Sequence, residues 1–184
     1  MLPDITEQIK EALNNGKAAC GVFVDVQKPF DTVNHDILLQ KMNRYGIRGP
    51  IYDWFKSYLS DRLQFVSILG YDSNKQSITH GVPQGSVLGP LLFLIYINDL
   101  HNAIKYSETY LFADNTNLLS IKNNQKIMQR EMNIDLKNLF RWLHVNKISL
   151  NRNKTELIFF KKPSTTIPFN KIKLMECNSI HLKV

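Results

Sequence analysis

Apolar positions recur with helical spacing over much of the chain and with strand-like runs between. In "ITEQIKEALNNGK", Ile5, Ile9, Ala12 and Leu13 predict an amphipathic helix stopped by Asn-Gly. "AACGVFVDV" is a small and β-branched run, predicting a buried strand. "HDILLQKMNRYG" predicts a helix ended by Gly46. "GPIYDWFKSYLSDR" predicts another, with Pro50 in the first turn and Ile51, Trp54, Phe55, Tyr58 and Leu59 on one face. "QFVSIL" and "KQSITHG" flank the turn "GYDSN" as a hairpin. "VLGPLLFLIYINDL" predicts a buried helix, and "YLFADNTNLL" a tight hairpin with Asp114 at its tip. Met128, Met132, Leu136, Leu139, Phe140 and Leu143 trace a long amphipathic helix. "KISL" and "TELIFF" flank the turn "NRNK", and a basic, strand-like tail runs from Lys161. Helices mixed with antiparallel hairpins, and no repeat or linker, imply one α+β domain.

Composition narrows this little. At 184 residues, 43% apolar and 21% charged, the chain is long enough and apolar enough for a real core. The net charge of +7 favours a polyanionic partner such as nucleic acid, or is simply a basic surface. Cys20 and Cys177 form no zinc-like pattern and no disulfide framework, which fits a reducing compartment. The N-terminus is no signal peptide, and the 14-residue apolar stretch at 87–100 is too short and too interrupted to span a bilayer. No membrane partner is expected, and the protein should be intracellular, in the nucleus, the cytoplasm or both.

Two carboxylates are costly where they stand. Asp25 ends an apolar run, and Asp114 sits between "YLFA" and "NTNLL". On neighbouring strands they could share a cleft and hold hard cations such as Mg²⁺ for phosphoryl transfer. The plainer reading is a strand-end Asp and an Asx-turn. "GVPQGSVLGP" offers glycines and Gln84 in a loop before a helix, where a base or phosphate could approach closely, or which is merely a packing turn. It is no Walker A loop. The five histidines form no nucleophile-and-base set, and His35 reads as part of a helix cap.

Taken together, "VFVDVQKPFDTVNHDILLQKMNRYGI", "ITHGVPQGSVLGPLLFLIYINDL", "YLFADNTNLL" and "NKISLNRNKTELIFF" resemble, in order, four motifs of the reverse transcriptase domain of jockey-like non-LTR retrotransposons. The resemblance covers nearly the whole chain. It implies a right-hand polymerase palm with partial fingers, an antiparallel sheet packed on helices. Residues 1–160 would form this part, and 161–184 a truncated segment leading toward a thumb. It implies RNA-directed DNA synthesis from a primer 3′-hydroxyl with dNTPs, two Mg²⁺ ions (or Mn²⁺), and RNA template and DNA primer as partners. The rest of a retrotransposon polyprotein would be a further partner. Asp25 and Asp114 would be metal ligands, with the Val26 carbonyl also facing a metal. Phe30 would be the bulky gate against a ribose 2′-hydroxyl. Gln84 and Gly85 would line the nascent base pair and template, and Lys154 would protonate leaving pyrophosphate.

The chain departs from the family pattern in two letters. Asn115 stands where the family carries a second Asp of an Asp-Asp pair, so the catalytic hairpin has one formal charge fewer. Pro29 replaces the usual Ala before the gate and removes an amide donor. Upstream fingers, thumb and endonuclease are expected to lie outside these residues, making the chain a fragment or decayed copy with weak or no activity by itself. A non-catalytic nucleic-acid-binding remnant and a relic without a role are the alternatives.

Overall fold

The computed structural model describes residues 2–112, 115–161 and 181–183. They divide into two compact units that alternate along the sequence, one drawn from the described residues within 1–27, 99–145 and 149–184, the other from 28–98 and 146–148.

The first unit is built on a five-stranded sheet. β1 (Ala18–Asp25) lies between β7 (Asn115–Lys122) and β8 (Glu156–Phe160), with β6 (Glu108–Phe112) outside β7 and β9 (His181–Lys183) outside β8. All pairings are antiparallel except β8 with β9, which is parallel. A central strand is buried on both faces, which is why β1 reads as a continuous apolar run. Ala19, Cys20 and Val22 are fully enclosed. Helix α1 (Leu2–Asn14) packs Ile5 and Ile9 on Ala19 and Leu119, on the face that also carries Phe23 and Asp25. It stops where the sequence predicts: Gly16 takes φ +70°, and the Lys17 amide donates back to the Ala12 carbonyl. Helix α5 (Gln125–Val145) starts with the Asn124 side chain accepting from the Lys126 and Ile127 amides. It buries the stripe Met128, Met132, Leu136, Leu139 and Leu143.

The second unit packs α2 (His35–Arg44) on α3 (Pro50–Leu59) and α4 (Leu88–Ile97). Its core holds Leu38, Met42, Leu59, Leu92, Phe93 and Tyr96. The Tyr96 hydroxyl accepts from the Asn34 amide and donates to the Asn146 carbonyl at 2.6 Å. The Lys41 ammonium, also buried, donates to the Tyr96 carbonyl at 2.6 Å. The expected hairpin forms as two short ladders, β2 (Leu63–Gln64) with β5 (Gln76–Ser77) and β3 (Ser67–Ile68) with β4 (Tyr71–Asp72).

Three local expectations change, and the apolar face expected on α3 is left largely open. His35 is not the cap of α2; the Asn34 side chain accepts the Ile37 amide, and His35 pairs instead with the Gly81 carbonyl at 2.7 Å. "KISL" contributes a single bridge, Val26 to Leu150, rather than a strand. On α3 the one-sided apolar face forms as expected, with Leu59 buried and Ile51 and Trp54 63% and 52% exposed. Helix α4 is buried through Leu92, Phe93, Tyr96 and Ile97 but leaves Leu91 and Leu94 about half exposed. Among the described residues no helix is long and apolar enough to cross a membrane.

Candidate active site

Asp25 is the last residue of β1, and its register partner across the ladder is Asn115, the first residue of β7. Directly opposed residues of an antiparallel pair project from the same face with Cβ atoms about 5 Å apart. The sheet therefore brings together the first expected carboxylate and the departing Asn. Asp25 is half-buried, and neither its carboxylate nor the Asn115 amide takes a hydrogen-bond partner among the described residues. A half-buried carboxylate beside a second side-chain oxygen is a grouping that can contribute to a hard-cation site. Asp114, the other expected ligand, lies outside the described residues. Among those described, no three His, Cys, Asp or Glu side chains converge.

The backbone at Asp25 is held by the segment that follows α5. The Asn151 amide donates to the Asp25 carbonyl at 2.8 Å, and the Asp25 amide donates to Thr155 Oγ1 at 3.3 Å. Thr155 Oγ1 in turn donates to the Asn151 carbonyl at 2.9 Å, which closes the turn onto itself. The Gln27 amide completes the clamp on the Ser149 carbonyl at 2.8 Å. Asp25 and Gln27 carry these bonds, so the Val26–Leu150 bridge between them is of the non-hydrogen-bonded kind. The Val26 carbonyl consequently faces away from Leu150, toward the β7 side. Lys154 sits exposed in the same turn, its amide bonded to the Asn151 carbonyl.

Phe30, Gln84 and Gly85 belong to the second unit. Phe30 rests on Phe93 with 5.3 Å between ring centroids. Beside it the loop before α4 is docked on the turn that follows β1. The Gly81 amide donates to the Val33 carbonyl and the Val82 amide to the Phe30 carbonyl, each at 2.7 Å. Gly81 has φ +88°, and a Cβ there would come within 3.0 Å of the Asp31 Cα and carbonyl oxygen, so only glycine allows this approach. Gln84 donates from Nε2 to Asp31 Oδ1 at 2.7 Å. Gly85, at φ +79°, has open space around it. Ser86 Oγ accepts from the Gly89 amide and fixes the start of α4.

Three supports escaped the sequence reading. Asp31 and the Asn151–Thr155 pair lie inside the quoted motifs, but local pattern does not reveal their partners. Asp135 is the third. It is 0% exposed within α5, and its two oxygens accept from the amides of Lys105, Tyr106 and Ser107 at 2.7–3.2 Å. It thus fixes the chain entering β6, the strand paired with β7. Its signal was position: it stands in the apolar stripe beside Leu136. Cys20 is no nucleophile, since burial pushes its thiol up to about 12.

A family model described as "Reverse transcriptase (RNA-dependent DNA polymerase)" matches residues 2–175. The RNA-directed DNA polymerase from mobile element jockey of Drosophila melanogaster is 43% identical over 90 residues, 49% of this chain and 10% of the relative. The probable RNA-directed DNA polymerase from transposon BS of the same species is 40% identical over 96 residues, 52% of this chain and 10% of the relative. The chain thus spans about a tenth of the length of the curated relatives it matches. A solved structure of telomerase from Candida albicans, bound to a fragment of telomeric RNA, superimposes with a TM-score of 0.62. It covers 90% of this chain and 31% of that one at 14% identity, a likeness of fold alone. With its α+β polymerase-like fold and a family match over nearly its full length, the chain belongs to the reverse transcriptase family.

Proposed function

We propose that this chain carries the RNA-directed DNA polymerase site of a non-LTR retrotransposon, with rate reduced by Asn115. The observation that supports this most strongly is the register of Asp25 opposite Asn115, with the Asp25 carboxylate taking no hydrogen bond among the described residues. Divalent metal ions serve this family generally; bound here as Mg²⁺ or Mn²⁺, two of them would activate the primer hydroxyl and neutralise charge on the transferring phosphorus. Asp25, Asp114 and the Val26 carbonyl would hold them, with Asn115 as a neutral oxygen donor. In the reaction the primer 3′-oxygen bonds to the α-phosphorus of the dNTP as the bond to pyrophosphate breaks. The hydroxyl proton passes to solvent water, and Lys154 would supply a proton to the leaving pyrophosphate and regain one from solvent. Phe30 disfavours a ribose 2′-hydroxyl, and Gln84 and Gly85 contact the nascent pair and template. The template RNA, DNA primer and the remaining polyprotein are the partners of this reading.

Replacing one carboxylate by an amide removes an electrostatic stabiliser, a loss of about 10²-fold in rate. Primer extension on poly(rA)/oligo(dT) tests this. Wild-type incorporation should be weak, Asn115→Asp should raise it about 10²-fold, and Asp25→Asn should abolish it in both backgrounds. Asn115 also favours a second reading, a non-catalytic nucleic-acid-binding remnant. Primer–template binding without metal-dependent extension in either wild type or Asn115→Asp would select that one.

A further inference from the structure

The surface of α3 carries a stacked column that the polymerase reading does not use. Trp54 and Tyr58 lie one helical turn apart with ring centroids at 5.5 Å and planes 15° from parallel. Arg62 continues the column, its guanidinium 5.3 Å from the Tyr58 ring centroid and its Nη1 donating to the Tyr58 carbonyl at 3.4 Å. Phe55 braces Trp54 edge-on at 5.0 Å. A single exposed aromatic is ordinary on a protein surface. Here one face of the indole is matched by Tyr58 within a fixed column, yet the residue is still half exposed, so a flat surface is presented ready-made.

The surroundings indicate what would lie on it. Arg62 also lines a cavity of about 580 Å³ with Gln64, Thr79, His80, Gln84 and the Asp31 carboxylate to which Gln84 donates. On the neighbouring hairpin Lys75 stands 6.0 Å from the exposed Phe65 ring, a second pairing of aromatic and cation. Rings interleaved with cations beside a polar cavity, on a chain of net charge +7, match an unpaired nucleic-acid strand, whose bases stack on the rings and whose phosphates meet the cations. A duplex keeps its bases stacked on one another and offers no free face. We propose that Trp54, Tyr58 and Arg62 form a stacking platform for an unpaired strand, with one base on the outer face of Trp54 and the strand continuing past Arg62 into the polar cavity.

The proposal meets the polymerase reading only at Gln84 and needs no metal, so its test is run in EDTA, where failure of the carboxylate site leaves the result unmoved. The chain has two tryptophans, Trp54 and Trp142. In a Trp142→Phe background, oligo(rA) and oligo(dA) should each quench the fluorescence of Trp54, and blunt duplex should not; the two arms rank RNA against DNA. Trp54→Ala should weaken single-strand binding about tenfold and Trp54→Phe much less. Arg62→Ala should lower the salt slope by about 0.7. Circular dichroism and thermal unfolding of each variant confirm that the fold is kept. Single-strand affinity unchanged in Trp54→Ala overturns the proposal, as does equal weakening for single strand and duplex. A change in self-association in place of strand binding overturns it too, making the column a protein interface.

Discussion

Asp135→Ala is the substitution whose effect follows most directly from the hydrogen-bond geometry. The carboxylate is fully buried and binds three successive amides, Lys105 and Ser107 at 2.8 and 2.7 Å and Tyr106 through both oxygens. Hydrogen bonds to a charged group are worth about 1.5–3 kcal/mol each, so three sum to about 4.5 at the lower limit. Water entering the vacated space recovers part of this, which leaves a loss of about 4 kcal/mol. That is a large share of the 5–15 kcal/mol typical of a domain, and corresponds to about 8–16 °C in Tm for a chain of this size. Asp135→Asn keeps the shape but turns an NH₂ toward amide donors, and should cost about half as much. Urea unfolding monitored by circular dichroism measures both. The consequence reaches the hairpin, because residues 105–107 lead straight into β6, and amide exchange over Glu108–Phe112 should quicken in either variant. A loss below about 1 kcal/mol for Asp135→Ala would refute the reasoning and leave the three amides satisfied by other means.

Two further substitutions separate the glycines of the loop before α4. Gly81→Ala combines a positive φ with a 3.0 Å approach to Asp31 backbone and should cost about 3 kcal/mol, whereas Gly85→Ala, strained but in open space, should cost about 1; thermal unfolding ranks them, and equal losses would contradict the docking of this loop. Cys20 should resist thiol-modifying reagents at pH 8 until denaturant is added, since burial holds its thiol near 12. Its folded value lies above the reference of 9.0, so the folded state keeps a proton that the unfolded state releases. The stability this contributes is complete below pH 9 and is lost as pH rises toward 12. The denaturation midpoint of wild type should therefore fall more steeply over that interval than that of Cys20→Ala.

Much of the fold was legible because local signals agreed with it. The α1 stop at Asn-Gly, Pro50 at the start of α3 and the methionine-leucine stripe of α5 all mark elements where the sequence places them. Periodicity says where an apolar face lies but not what covers it: on α3 Ile51 and Trp54 share a face, and that face is open. Long-range pairings were the other gap. That Asp25 meets Asn115, that Asp31 holds Gln84 and that Asn151 and Thr155 clamp the end of β1 depend on strand register and loop docking, which no local window encodes. Of these, the ordered motifs pointed only to the meeting of the Asp25 strand with the hairpin that carries Asn115. Asp135 lay between these cases, since its place in a buried stripe announced an expensive carboxylate without naming the amides that satisfy it.

In the proposed function the end of β1 beside β7 is a divalent-cation site in which Asn115 supplies an oxygen but no charge. Mn²⁺ binding, followed by electron paramagnetic resonance on the full chain without nucleic acid, tests it most directly. The account predicts measurable binding by wild type and its loss in Asp25→Asn. It also predicts tighter binding in Asn115→Asp by about 1–2 kcal/mol, roughly tenfold, from one added charge facing the ion in a partly solvated site. Wild-type Mn²⁺ affinity retained in Asp25→Asn, or no gain in Asn115→Asp, would contradict it.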